Sequence, residues 1–305
     1  MENVLTLIAG PGFRGAWLAV LETADETLRK LGASPVPADW LAPDLAVDLA
    51  FQGIEADAAE TAVRGALEGA IGELDLDLVA QPRAGRRRRL LVADMESTII
   101  ANEMLDELAD ILRLGPRVAE LTRRAMNGEI DFAGALRERV ALLKGVPVHV
   151  LEEARERIRI NPGAGELVTT MRAAGAYTAL VSGGFRSFTG PVRSKLGFHM
   201  DVANELLTAA GALSGAVREP ILDRDAKLRT LETLAAEHNL PLAETVAVGD
   251  GANDLPMLRA AGVGIAYHAK PTVRAEARYR IDHADLTALL YVQGYRASEI
   301  KRPAG

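Results

Sequence analysis

Three apolar segments of this chain each lead into a short polar cluster, and helical segments separate them. The segments are LLVAD, which ends at Asp94, YTALVSGG, which contains Ser182, and TVAVGDGAND, which contains Asp250. Apolar runs of this length alternating with helical patterns predict parallel strands joined by helices. Ligands bind beyond the carboxyl ends of the strands in such open sheets, so we expect the three polar clusters to meet at one sheet edge.

Two further segments interrupt the expected sheet. Residues 101–160 contain NEMLDELADILRL, FAGALRERVALLKG and VLEEARERI, which are almost wholly helical in pattern and predict a helical cap above the sheet edge. The segment DVANELLTAAGALSGAVREPIL carries Gly211 and Gly215 between short apolar runs and predicts a hairpin insertion. Gly262–Tyr267 is expected to be another core strand.

The first 80 residues have a different organisation. NVLTLIAG, LAVDLAFQG and LDLDLVAQP predict strands, and two amphipathic helices lie between them, which indicates a small ferredoxin-like, ACT-like sandwich. A regulatory or dimerising role and a purely stabilising role are both compatible with it. Residues 81–89 are rich in arginine, and we expect a basic, solvated linker there, followed by the larger domain over 90–295 and a tail over 296–305.

Composition excludes several classes of function. A net charge of −7 with 4% aromatic residues argues against a nucleic-acid surface. No run approaches the roughly 18 apolar residues of a membrane span. The chain has no cysteine, which excludes disulfides and thiolate chemistry, and its histidines lack zinc-site spacing. Its first residues do not have the pattern of a signal peptide, so we expect a cytoplasmic protein.

The polar clusters supply the groups that cleavage of a phosphate ester requires. Asp94 is a candidate nucleophile, because carboxylates form aspartyl-phosphate intermediates, and Glu96 is a candidate proton donor and acceptor. Ser182 and the amide of Gly183 are candidate donors to phosphate. Positive charge and a magnesium site complete the set, and their candidate residues are Lys227, Asp250 and Asp254.

Each of these residues has an ordinary structural explanation when it is taken alone. Asp94 would usually cap a helix, Lys227 would usually be a surface lysine, and GDGAND is a weak loop signal. Glu103 and Arg139 would most often be exposed helix residues. The order of the clusters and their expected convergence on one sheet edge favour a catalytic site over these separate explanations.

The motifs DMEST, SGG, Lys227 and GDGANDLPML, in this order, resemble the four motifs of the haloacid dehalogenase superfamily, and more narrowly the bacterial phosphoserine phosphatases. The resemblance extends into the cap. Glu103 stands nine residues after Asp94, and FAGALRERV supplies Phe132 and Arg139 at matching positions. Met126 corresponds to a further cap residue. The similarity covers roughly Arg88 to Tyr291 and implies a Rossmann-like core with an inserted helical cap.

The resemblance also implies a mechanism and a partner. The substrate would be a small phosphomonoester, O-phospho-L-serine, and its hydrolysis would be the last step of serine biosynthesis. Asp94 would attack phosphorus, and Glu96 would protonate the serine oxygen and then activate water. A homodimer is compatible with the N-terminal sandwich.

The resemblance implies three sets of binding residues. For Mg²⁺ they are Asp94, the backbone carbonyl of Glu96 and Asp250, with Asp254 in support. For phosphate they are Ser182, Gly183, Lys227 and Asn253, and for the rest of the substrate they are Glu103, Arg139, Met126 and Phe132.

One position departs from the pattern of the resembled family. Most members have a second aspartate, as in DMDST, where this chain has Glu96. Related phosphotransferases carry a similar DxE pattern, so transfer of the phosphoryl group to an alcohol such as homoserine is an alternative to hydrolysis. A non-catalytic amino-acid sensor is an alternative of a different class. Hydrolysis is favoured, because the cap residues match the hydrolases and Glu96 alone deviates.

Overall fold

The computed structural model describes residues 2–71, 75–126, 130–222 and 225–303. Within these ranges the chain forms an N-terminal domain with an antiparallel sheet and a larger domain with a six-stranded parallel sheet. None of the described helices combines the length and the apolar character that crossing a membrane would require.

The N-terminal domain has a βαββαβ order in which the second strand is split in two. The sheet order is β2-β4-β1-β5, with β3 also paired to β4, and all these pairs are antiparallel. This is the ferredoxin-like sandwich expected from the sequence. Its elements are β1 (Asn3–Ala9), α1 (Trp17–Lys30), β2 (Ser34–Pro35), β3 (Asp39–Ala42), β4 (Ala46–Gln52), α2 (Ala56–Ile71) and β5 (Leu76–Pro82).

Both faces of this small sheet are buried. Every residue of β1 is buried, although an antiparallel sheet often leaves one face in water. Alternate residues of β1 point to opposite faces, so Leu5 packs with α1 and α2, while Ile8 joins the apolar cluster of the larger domain. Val79 of β5 belongs to that second cluster as well. The N-terminal domain therefore packs directly against the larger domain.

The basic segment 81–89 is in part the expected solvated linker, because three of its five arginines are exposed, but its other two arginines contact the two domains. Arg86 forms a largely buried ion pair with Asp48 of β4. The Nη1 atom of Arg88 donates a hydrogen bond of 2.6 Å to the carbonyl of Ala243 in the larger domain. The guanidinium group of arginine carries several donors in a rigid fork. Through two such groups, this short segment binds both domains.

Asp77 provides a second connection between the two domains. Its carboxylate lies on β5, is buried, and accepts hydrogen bonds from the backbone N–H groups of Asp282, His283 and Ala284 at 2.7, 3.2 and 2.8 Å. The N-terminal domain thereby satisfies the backbone of a loop that belongs to the larger domain.

The larger domain carries a parallel sheet with the order β13-β12-β11-β6-β7-β8. The strand β6 is central, and its neighbours are β7 and β11. This arrangement confirms the expected Rossmann-like fold. The elements up to the end of the cap are β6 (Leu90–Asp94), α3 (Met104–Ile111), α4 (Gly115–Met126), α5 (Phe132–Ala141) and α6 (His149–Glu156). The remaining elements are α7 (Ala164–Ala173), β7 (Tyr177–Phe185), α8 (Arg186–Leu196), β8 (Met200–Asn204), β9 (Leu206–Ala209), β10 (Ala212–Val217), α9 (Ala226–Glu237), β11 (Thr245–Gly249), α10 (Leu255–Ala260), β12 (Val263–Tyr267), α11 (Pro271–Glu276), β13 (Tyr279–Ile281) and α12 (Ala288–Val292).

The expected hairpin insertion is only partly correct. β9 and β10 pair as a hairpin, but the preceding residues Met200–Asn204 form β8 and extend the parallel sheet beside β7. The hairpin also binds the cap, because the Gly145 N–H donates to the carbonyl of Leu213 and the Leu213 N–H donates to the carbonyl of Val146, both at 2.8 Å. The helical cap after the first core strand is therefore attached to this hairpin by backbone hydrogen bonds.

Candidate functional site

The carboxyl ends of β6, β7 and β11 bring the predicted polar clusters together. Asp94 is the last residue of β6 and stands opposite Val181 of β7, one residue before Ser182. Asp250 directly follows β11, whose register with β6 pairs Val248 with Ala93. The parallel register thus delivers the three clusters to one edge of the sheet, as the sequence predicts.

A buried lysine joins two carboxylates at the centre of this edge. The Nζ atom of Lys227 lies 2.7 Å from Oδ1 of Asp94 and 2.6 Å from Oδ1 of Asp254. The other oxygen of Asp254 accepts the Gly251 N–H at 2.9 Å. A side chain at Gly249 would collide with Asp254, because a Cβ atom there would lie 2.3 Å from its Cγ. Asp254 is therefore fixed in place as the partner of Lys227.

The electrostatic environment of Asp94 depends on these neighbours. Burial and the carboxylate of Asp254 raise the pKa of Asp94 well above its ordinary value, and the ammonium of Lys227 opposes this rise. The carboxylate neighbours also explain why the pKa of Lys227 is raised despite its burial. Lys227 thus favours the ionised form of Asp94, which is the form that a nucleophile requires.

Glu96 lies inside the site with both of its carboxylate oxygens engaged. Oε1 accepts the Met104 N–H at 2.8 Å, and Oε2 accepts the Ser182 hydroxyl at 3.4 Å. Burial, followed by the nearby charge of Glu103, raises the pKa of Glu96 to about 7. A carboxyl group with this pKa is suited to donate and accept a proton near neutral pH.

The SGG cluster is folded tightly against Glu96. The Gly184 N–H donates to the Ser182 hydroxyl at 2.9 Å, and Asn204 of β8 holds the carbonyl of Gly183 at 2.8 Å. A Cβ atom at Gly184 would lie 2.7 Å from Oε2 of Glu96, so the acid can sit here only beside a glycine. The geometry explains why the second residue after Ser182 is a glycine.

The acidic residues at the sheet edge fit a divalent cation. Asp94, Asp250 and Asp254 are buried, and each offers a carboxylate oxygen within 4.8 Å of the others. Hard cations take oxygen ligands of this kind. Three carboxylates meet here, and the buried lysine, Lys227, contacts Asp94 and Asp254, so a divalent cation would offset negative charge that remains. Asp94 and Asp250 are the better candidate ligands, because both carboxylate oxygens of Asp254 are already engaged. One contacts Lys227, and the other accepts the Gly251 N–H.

The cap closes a cavity of about 280 Å³ over this edge. Among the predicted substrate residues, Glu103, Phe132 and Arg139 line it from the cap side, and Gly183 and Asn253 line it from the core side. Ser182 and Lys227 lie buried below the cavity floor rather than in its wall. The side chain of Met126, the remaining predicted residue, lies outside the described residues.

Two residues that contribute to the site were not among the sequence predictions. Ser97 has a positive φ of 55°, unusual for a residue other than glycine, and its hydroxyl donates to Oε1 of Glu103 at 2.7 Å. Lys270 lines the cavity and places its Nζ 3.3 Å from Oδ2 of Asp250. The rule that located the other clusters also applies to Lys270, because it follows the carboxyl end of β12.

Comparisons with known proteins agree with this geometry. Residues 91–259 match the family model of the haloacid dehalogenase-like hydrolases. The chain is 40% identical over 259 residues to a phosphoserine phosphatase of Streptomyces coelicolor, a match that covers 85% of this chain and 63% of the relative. It is 43% identical over 250 residues to a phosphoserine phosphatase of Archaeoglobus fulgidus, covering 81% of this chain and 70% of the relative.

A solved structure shares the whole two-domain arrangement. The crystal structure of a probable phosphoserine phosphatase from Vibrio cholerae superposes with a TM-score of 0.76 at 30% identity, covering 98% of this chain and 88% of that one. The N-terminal domain is therefore part of the shared fold. Sequence, fold and the arrangement of the candidate site therefore show that the chain belongs to the haloacid dehalogenase-like hydrolases and, among these, to the phosphoserine phosphatase family.

Proposed function

We propose that this chain hydrolyses O-phospho-L-serine to L-serine and inorganic phosphate. The observation that carries the proposal is that Asp94, Glu103 and Arg139 all line one cavity of about 280 Å³. These side chains provide a nucleophile for phosphorus, an anion for an ammonium group and a cation for a carboxylate. The phosphoserine phosphatases among the relatives support the same substrate.

Asp94 would attack phosphorus and form an aspartyl-phosphate while the bond to the serine oxygen breaks. Lys227 holds the carboxylate of Asp94 at 2.7 Å, which fixes the attacking atom and favours its ionised form. Gly183 and Asn253 in the cavity wall, with Ser182 below it, would bind the oxygens of the phosphoryl group. We propose Mg²⁺ as the cation, held by Asp94, Asp250 and the backbone carbonyl of Glu96, where it would neutralise charge on the phosphoryl oxygens.

Glu96 would donate a proton to the departing serine oxygen and later remove one from the water that cleaves the aspartyl-phosphate. The raised pKa of Glu96, about 7, supports both roles, because the two forms of the acid are then similarly populated at neutral pH. The Met104 N–H holds one carboxylate oxygen at 2.8 Å and limits where the longer glutamate can reach. This contact supports an ordinary acid and base role for Glu96 in place of aspartate.

The cap residues would recognise the amino-acid part of the substrate. Glu103, oriented by the Ser97 hydroxyl, would pair with the ammonium group. Arg139 would pair with the carboxylate, for which its planar fork is suited. Phe132 faces Gly183, since a Cβ atom there would lie 3.4 Å from the Phe132 ring, and would cover the substrate between them. The reaction would provide serine as the last step of its biosynthesis. A cytoplasmic location and a homodimer stay predictions of the sequence.

Substrate recognition can be tested with two arginines of the same helix. Arg139→Ala should reduce kcat/KM for phosphoserine by about 10²-fold or more, because a charge-assisted pair is lost, while the rate with p-nitrophenyl phosphate changes little. Arg137→Ala is the matched control, since Arg137 is half exposed and pairs with Glu219. Unchanged phosphoserine kinetics in Arg139→Ala would refute the substrate assignment. Phosphohomoserine formed when homoserine is added to the wild-type protein would identify a phosphotransferase instead.

A further inference from the structure

Lys270 is a charged residue of the cavity wall that the sequence motifs did not predict. It precedes α11, and its backbone is held on both sides: its N–H donates to the carbonyl of Asp250 at 3.2 Å, and its carbonyl accepts from Val273 and Arg274. Its side chain is nevertheless 64% exposed and reaches Oδ2 of Asp250 with Nζ at 3.3 Å. A fixed backbone therefore carries a solvated cation to the mouth of the cavity.

The charges around this lysine are mainly negative. Among the described residues that line the cavity, the basic side chains are Arg139 and Lys270, and the acidic ones are Asp94, Glu96, Glu103 and Asp250. The ammonium group of Lys270 is solvated and lies 3.3 Å from one of these carboxylates, that of Asp250. Lys270 is therefore a cation that offsets the acidic wall.

The contact with Asp250 has little value for folding, because ion pairs with a solvated partner contribute little to stability. Its effect on charged ligands is larger, since a charge at the mouth of a cleft acts on every ion that enters. Two ligands of opposite charge have to bind here under the proposed function, namely a divalent cation at Asp250 and the phosphate dianion of the substrate. A lysine at this position opposes the first and favours the second.

We propose that Lys270 is a positioning residue that balances the charge of the site, weakening the hold of Asp250 on the divalent cation and strengthening the hold of the cavity on the phosphate dianion. The phosphate part of this inference rests on the proposed function. The cation part depends only on the contact between Lys270 and Asp250.

Titration calorimetry on the full chain tests both parts without turnover. Mg²⁺ alone is titrated into chelator-treated protein, and inorganic phosphate is then titrated at saturating Mg²⁺. Lys270→Met should bind Mg²⁺ about fivefold more tightly and phosphate about fivefold more weakly. A fivefold change in affinity corresponds to about 1 kcal/mol, which is the Coulomb energy of two unit charges ~4 Å apart in water. Lys270→Arg should resemble the wild type. Lys195→Met removes the same charge from an exposed position at the end of α8 and should leave both affinities unchanged.

The opposite signs separate an electrostatic role from a structural one. A distorted site would weaken both ligands, so weaker binding of Mg²⁺ and phosphate in Lys270→Met overturns the proposal, as do unchanged affinities. Equal shifts in Lys195→Met would also overturn it, because net charge alone would then suffice. If the wild-type protein releases no phosphate from phosphoserine, the proposed function fails, while the Mg²⁺ titration still decides whether Lys270 opposes the cation.

Discussion

The Nζ atom of Lys227 lies 2.7 Å from Oδ1 of Asp94, and both side chains are buried. The same ammonium group contacts Asp254 at 2.6 Å. Two carboxylates that would repel each other in a protein interior are therefore held together by one cation. This relationship connects stability with catalysis. The ammonium group of Lys227 stabilises two buried carboxylates in the folded protein, and it also favours the ionised form of the nucleophile Asp94.

Removal of Lys227 should cost stability in a pH-dependent manner. In Lys227→Met, Asp94 and Asp254 would be buried carboxylates without their cation, and the pKa of Asp94 in the folded state, which burial and Asp254 already raise, would rise further above its unfolded value. A raised folded pKa gives stability that is present at low pH and lost as the pH rises through it. We expect urea unfolding of chelator-treated protein to show a loss of about 3 kcal/mol at pH 8, and a smaller loss at pH 5.

The control for this prediction removes one of the two carboxylates as well. Lys227→Met combined with Asp254→Asn should recover part of the stability at pH 8, although activity stays lost, because the repulsion is relieved. A loss that is equal at both pH values, or that the second substitution deepens, would contradict the assigned role of the ammonium group.

Shortening Glu96 should slow the reaction even though aspartate is usual at this position in the resembled family. The Met104 N–H and the Ser182 hydroxyl hold the glutamate carboxylate at its present depth. Glu96→Asp withdraws the acid by one methylene, and a misplacement of about 1 Å costs roughly 10²-fold in rate. Steady-state kcat with phosphoserine checks this, and an unchanged kcat would show that the loop adapts to either length.

The pH dependence of phosphoryl transfer should report the protonation of Glu96. The acid must carry its proton to protonate the serine oxygen, and its pKa is about 7 because of burial and the charge of Glu103. Single-turnover transfer from phosphoserine should therefore fall as the pH rises above about 7. p-Nitrophenyl phosphate has a leaving group that needs no proton, so its transfer rate should lack this decline. The same decline with both substrates would exclude Glu96 as its origin.

The link between the two domains should depend on Asp77. Its carboxylate accepts three backbone N–H groups of residues 282–284, and Asp77→Asn would replace an acceptor oxygen by a donor. We expect a loss of about 1–3 kcal/mol in the free energy of unfolding and faster hydrogen exchange of those three amides. Asp25→Asn is the matched control, because Asp25 belongs to the same domain and pairs with Arg29 of its own helix, α1. Equal exchange in the two variants would mean that Asp77 is not the connection.

Much of the architecture follows from patterns in the sequence. Apolar strands that end in polar residues predict the sheet edge, because parallel strands share one carboxyl edge, and Asp94, Ser182 and Asp250 lie there. The split of the second N-terminal strand and the short strands β8 and β13 do not follow from the sequence. The sequences of β8 and β13, MDVAN and YRI, lack the continuous apolar run that identifies β6, β11 and β12, and tertiary packing decides their pairing.

The residues of the candidate site could be predicted from the sequence, but the contacts between them could not. The partnership of Lys227 with Asp254 joins residues 27 positions apart, and spacing along the chain contains no sign of it. The same is true of Ser97, whose positive φ aims its hydroxyl at Glu103. The sequence predicts that Arg86 is solvated like its neighbours, because its partner Asp48 lies far away along the chain.

The most direct measurement is phosphate release from L-phosphoserine by the full chain, with Mg²⁺ and with excess chelator, using Asp94→Asn as the blank. The account predicts release by the wild-type protein in Mg²⁺, its loss in chelator and none from Asp94→Asn in either condition. Release that persists in Asp94→Asn, or no release from the wild-type protein with Mg²⁺ present, would contradict a nucleophilic Asp94 acting on phosphoserine.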